Sequence, residues 1–145
     1  MPKKFPIEAA EDTAWRWFSR WIRISDPTVV RNGNDLFAQC YTTKKYYNLL
    51  ELQAGHYQTQ GGHNATKFDE ENVRPQCVYA NKHLHGMRSE FCDYLKKELG
   101  TKKFNAMILR SNQYCKRSLE EFKAIAKKYR NLVREKEKEL GIKIW

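Results

Sequence analysis

Four residues carry the chemistry this sequence offers: His56, Asn72, Asn81 and His83. His56 closes the stretch LQAGHY, and Asn72 stands inside KFDEENVRPQC. Asn81 and His83 follow in VYANKHLHG. An imidazole titrates near neutrality and suits the removal of a proton from water. A hard divalent cation such as Mg²⁺ or Mn²⁺ takes oxygen and nitrogen donors, and Asn81 (carbonyl oxygen) and His83 can supply both. Asn72 is expected to hold the intervening loop and orient His56. Asp69, Glu70 and Glu71 lie in that loop, either as helpers of a cation or as a solvated acidic run, while His63 and His85 read as loop and surface residues.

The elements that would position these residues follow from periodicity. NLLELQAGHY alternates, with Leu50, Leu52, Ala54 and His56 on one side, which predicts a short strand. NVRPQCV predicts a second, its pairing limited by Pro75, and the Gly-rich, polar QTQGGHNATKFDEE between them reads as a loop. A helix is expected from about Leu84 to Gly100, with Leu84, Met87, Phe91 and Leu95 as its apolar stripe. His56 then ends the first strand, Asn72 precedes the second, and Asn81 and His83 open the helix. An earlier helix spans 7–24, with Trp15, Phe18 and Ile22 at helical spacing and Trp17 and Trp21 widening the face. That aromatic stripe reads as core packing. A last helix opens at Ser118, where Ser118 and Glu121 form a capping box, and runs to Gly141.

The chain has 145 residues, a length that suits one domain, with a core over about 36–100 and a basic helical segment over about 101–145. The expected class is α+β. Net charge is +10, and residues 101–145 hold 13 basic against 5 acidic side chains, so +8 of it. A one-sided basic segment favours a polyanion; Lys123, Lys127, Lys128, Arg130 and Arg134 are the candidate backbone contacts. No apolar run is long enough to cross a bilayer, and MPKKFPIEAAEDT has no apolar signal core, so no membrane partner and a cytoplasmic location are expected. Cys40, Cys77, Cys92 and Cys115 include no C-x-x-C pair.

Strand, loop, strand and helix carrying His, Asn and a metal ligand is the order of a ββα-metal, HNH-type nuclease site. The chain also resembles, in order and over nearly its whole length, the NinG/Rap family of lambdoid phage recombination nucleases. The matching blocks are AWRWFSRWIRISD, Cys40, AGHY, KFDEENVRPQCVYANKHLHG and the basic final helix. The resemblance implies a metal-dependent endonuclease for branched intermediates such as four-way junctions and D-loops, working in the cytoplasm of the bacterial host. It places His56 as general base, Asn72 as positioning residue and Asn81 as metal ligand. Members carry two C-x-x-C pairs that build a zinc knuckle. Here each pair keeps only its first cysteine, Cys40 and Cys77, and Thr43 and Ala80 stand at the second positions. Two thiolates do not close a tetrahedral zinc site, so structural zinc is expected to be lost, with Cys40 and Cys77 facing each other as buried thiols. Symmetric cutting of a junction is compatible with a homodimer. A protein that binds branched or single-stranded DNA without cutting it is the alternative, and an interaction protein with an acidic partner is a second.

Overall fold

A computed structural model describes residues 3–145, so the first two residues of the 1–145 span lie outside it. The chain is mixed α+β, with four helices and two small antiparallel sheets among the described residues. Helix α1 spans Pro6–Ile24. Pro6 suits the first turn because its missing N–H is one that a helix start leaves unpaired, and Glu8 accepts the Phe5 N–H at 3.3 Å. Ala14, Phe18 and Ile22 recur every four residues with Trp17 beside them, and all are buried. Helix α4, Leu119–Leu140, buries Phe122, Tyr129 and Val133. It packs on α1 where the Phe18 and Tyr129 rings meet edge to face, their centroids 4.9 Å apart. The Ser118 hydroxyl accepts the Glu121 N–H at 3.2 Å, and Gly141 ends the helix at φ 68°.

Between these helices lies a sheet that periodicity did not reveal. Strands β1 (Val30–Asn32), β2 (Asp35–Gln39) and β3 (Tyr46–Asn48) form an antiparallel meander. Leu36 and Ala38 of β2 are its buried residues, and they join Ile22, Ile24 and Leu49 in the main core. The second sheet pairs β4 (Leu52–His56) with β5 (Val73–Cys77), in register from Leu52 opposite Cys77 to His56 opposite Val73. The expected longer strand is shorter at its start: Leu49–Glu51 is a 3₁₀ turn and leaves Leu50 exposed. Pro75 lies opposite Ala54, and its carbonyl accepts the Tyr41 N–H at 2.8 Å.

The helix expected from Leu84 begins later. A π-helical turn covers Tyr79–His83, and α2 runs from Arg88 to Leu99, leaving Leu84 outside it. His85, Gly86 and Met87 have φ of 51°, 79° and 49°, a run in the left-handed region that no regular helix contains. Gly100, at φ 80°, ends α2 and starts α3 (Thr101–Ser111), so the segment over 101–145 is two helices. Phe91 and Leu95 of α2 pack with Phe104 and Met107 of α3 in a second, smaller core.

Candidate active site

His56 ends β4 and is held on two sides. Its ring stacks on Trp15 of α1, with centroids 4.9 Å apart and planes 20° off parallel. Its Nε2 lies 3.0 Å from the Lys67 carbonyl. A carbonyl oxygen only accepts, so Nε2 carries the hydrogen and Nδ1 keeps the lone pair. Burial holds the His56 pKa below the ordinary 6.5; the Lys67 carbonyl opposes that shift and the Lys67 charge adds to it. The ring is therefore neutral at neutral pH, the form a general base requires. Trp15 thus has a part that core packing did not suggest: it is the wall behind the imidazole.

Asn72 is fully buried and does not touch the cleft. Its Oδ1 accepts the Gln58 N–H at 2.7 Å, and its Nδ2 donates to the carbonyls of Gln58 at 3.0 Å and Thr66 at 3.1 Å. It locks the chain just after His56 to the segment that carries the Lys67 carbonyl. Asn72 thus presents no atom to the cleft, and its hydrogen bonds hold the loop that follows His56. Asn72→Ala leaves the Gln58 N–H and the Gln58 carbonyl without their partner and removes one of the two donors to the Thr66 carbonyl. Unfolding in denaturant should show a loss of about 2 kcal/mol.

Asn81 and Lys82 come from the π-helical turn and His85 from the turn after it. With His56, Thr59 and Gln60 they line one open cleft of about 340 Å³. Asn81 Nδ2 donates to Gln53 Oε1 at 2.9 Å, which fixes the amide and leaves its Oδ1 with no protein donor among the described residues. His83 does not reach the cleft: it is exposed and lies against the Tyr79 ring, centroids 5.9 Å apart. His85 lines the cleft instead. The left-handed run at 85–87 turns it there, and such local strain is often found at functional sites. Gln76 supports this turn, donating from Nε2 to the Gly86 carbonyl and to Thr42 Oγ1, both at 3.0 Å.

No carboxylate lines the cleft. Asp69 and Glu71 pair with Arg110 at 2.8 and 2.9 Å, and Glu70 accepts Trp21 Nε1 at 2.7 Å and the Tyr129 hydroxyl at 3.2 Å. The acidic run is thus spent on tying the loop to α1, α3 and α4. His63 joins the same lashing, its Nδ1 3.0 Å from the Ser111 carbonyl. No group of three or more His, Cys, Asp or Glu side chains among the described residues is arranged to hold a metal ion. A divalent cation in the cleft would find neutral donors, Asn81 Oδ1 and a His85 ring nitrogen among them, with the Glu51 carboxylate lining the adjoining cleft that shares Asn81, and would need water or phosphate oxygens for the rest. That donor set fits a cation that arrives with, or shares, a phosphate.

Cys40 and Cys77 are both buried, and the Cys77 N–H donates to Cys40 Sγ at 3.3 Å. Burial alone would raise the Cys40 thiol, but hydrogen bonds from Thr43, Cys77 and Thr42 outweigh it and hold the pKa at about 7. On α4, Lys123 and Lys127 are exposed, Lys123 beside Glu120 at 3.6 Å. Lys128 lies over the Tyr129 ring at 5.0 Å. Arg130 and Arg134 turn towards Trp17, and Arg134 is committed to Glu137 at 2.8 Å and to the Trp145 carbonyl.

A family model described as Bacteriophage Lambda NinG protein matches residues 6–139. That span is most of the chain, and the chain belongs to this family of phage proteins. No curated protein and no solved structure matches it. Among the described residues no helix is long and apolar enough to cross a membrane.

Proposed function

We propose that this protein is a metal-dependent endonuclease that cuts branched DNA recombination intermediates, four-way junctions and D-loops. Membership in the NinG family supports a phage recombination role. The observation that carries the catalytic reading is the meeting of His56 and Asn81 in one open cleft, with the imidazole held neutral and its Nδ1 lone pair unspent. In the proposed reaction His56 takes a proton from a water whose oxygen attacks the phosphorus. The new P–O bond forms as the bond to the leaving sugar oxygen breaks, and that oxygen takes a proton from solvent. Lys82 at the rim offers charge to the phosphate. Asn81 and His85 would hold Mg²⁺ or Mn²⁺, which when bound neutralises charge on the phosphate and the leaving oxygen. Two symmetric cuts are compatible with two copies of the chain at one junction.

The test is incubation of labelled junction, D-loop and plain duplex with Mg²⁺, Mn²⁺ or chelator. Products from the branched substrates alone, and only with metal, are expected. For Asn81→Ala we expect the Mg²⁺ needed for half-maximal cutting to rise about 10-fold or more, with junction binding in chelator unchanged. The lack of any carboxylate in the cleft favours one second reading, a branched-DNA-binding protein that no longer cuts. Tight junction binding with no products under either metal would establish it.

A further inference from the structure

The seam between α1 and α4 concentrates guanidinium groups around two indoles. Arg16, Arg20 and Arg23 form one stripe of α1, at steps of four and three residues. Trp17 has Arg20 at 4.6 Å, Arg134 at 5.0 Å and Arg130 at 5.9 Å from its ring centre. Trp145 has Arg23 at 5.0 Å and Arg20 at 5.5 Å. Glu137 is the carboxylate at this seam, and Arg134 and the N–H groups of Ile144 and Trp145 already occupy it. Arg16, Arg20, Arg23 and Arg130 form no ion pair among the described residues. Like charges held this close repel one another, and a polyanion relieves that repulsion. Arg23 spends N–H groups on the carbonyls of Ser19, Leu49 and Leu52, and Arg134 on Glu137 and the Trp145 carbonyl, whereas the side chains of Arg16, Arg20 and Arg130 make no hydrogen bond among the described residues and keep the planar fork that matches phosphate oxygens.

We propose that this arginine–tryptophan seam binds the DNA backbone, and that it, more than the outward lysines of α4, holds the arm of the substrate leading to the His56 cleft. The proposal deepens the nuclease reading and rests on it for the identity of the polyanion. The seam and the cleft are continuous. Arg23 lines a second cleft together with Trp15, Glu51, Gln53, Asn81 and Lys82, in which Glu51 is the one carboxylate, and Asn81 and Lys82 are shared with the first. Along α1, Arg20 and Arg23 lie five and eight residues beyond Trp15, which stacks on His56. That is roughly 8–12 Å at 1.5 Å per residue, or about two to four nucleotide steps at 3.4 Å each. The seam therefore engages phosphates a few nucleotides from the cut.

The experiment is equilibrium binding of a labelled four-way junction and a duplex across a salt series, in chelator, so that cutting does not enter. Wild type is compared with Arg16→Gln/Arg130→Gln, at two exposed positions, and with Lys123→Gln/Lys127→Gln. The arginine pair should lower the slope of log K against log salt by about 2 and weaken binding about 50-fold near 0.1 M salt. The lysine pair should change affinity less than about 3-fold. Arg20→Lys keeps the charge but loses the flat stack, and should weaken binding several-fold while melting as wild type does. An unchanged slope in the arginine pair, a loss carried by the lysine pair instead, or no DNA affinity in wild type overturns the proposal. If wild type never cuts but the slope shifts as stated, the seam stands and the nuclease reading falls. If it cuts and the slope does not move, the seam alone falls.

Discussion

Gly55→Ala should destabilise the protein by about 4 kcal/mol and remove its activity with it. A Cβ at Gly55 would stand 1.9 Å from Gln76 Oε1 and 2.8 Å from Gln76 Cδ. Gln76 is fully buried and has nowhere to swing. To make room it must give up its hydrogen bonds to Thr42 Oγ1 and the Gly86 carbonyl, and the second of these steadies the turn that brings His85 to the cleft. The expected effect is therefore an overpacking penalty plus buried polar groups stripped of partners. Denaturant unfolding of Gly55→Ala beside Gly61→Ala checks it. Nothing lies within 4 Å of a Cβ at Gly61, so that variant should match wild type. Equal stabilities for the two variants would refute the account of the glycine before His56.

His56→Ala should lower the single-turnover rate on a junction by about 10²–10⁴-fold, the range general-base catalysis supplies, while leaving binding unchanged. The wild-type rate should depend on pH in a definite sense. The base works deprotonated, and burial favours the neutral ring, so the rate should be flat around pH 7 and above. It should fall only as pH drops below the ordinary histidine value of 6.5. Stability shares that sign. The unfolded chain takes up the His56 proton first, so stability at this site is fully present above 6.5 and is lost as pH falls from there towards the lower folded pKa. An acid limb displaced well above 6.5 would contradict the neutral, Trp15-backed imidazole.

Much of this site is written in the sequence. The alternation through LQAGH and the stretch NVRPQC mark strands, and they do pair, with His56 opposite Val73. The spacing of Trp15, Phe18 and Ile22 marks α1, and Ser118 with Glu121 marks the start of α4. What was not legible has physical causes. Strands β1 to β3 are three to five residues long and mostly exposed or half-buried, too short for a period to register. His85 owes its place to three successive left-handed residues, a turn that hydropathy does not encode, so His83 stood out in its stead. Gly86 is the one local sign of that turn, since its φ of 79° suits glycine. The acidic run at 69–71 looks available to a cation in one dimension. In three, Arg110, Trp21 and Tyr129 have claimed it. Gly55 is visible as part of a motif, but its reason, the Gln76 side chain packed where a Cβ would be, is a contact across two strands.

We propose hydrolysis of branched DNA in the cleft between His56 and Asn81. It is tested most directly by single-turnover cleavage of a labelled four-way junction with Mg²⁺, comparing wild type and His56→Ala at protein concentrations that saturate binding in chelator. Metal-dependent nicks near the branch point are expected from wild type, and at least a hundredfold fewer from the variant at equal occupancy. Equal cutting by both proteins, or saturated binding by wild type with no cut at all, would contradict it.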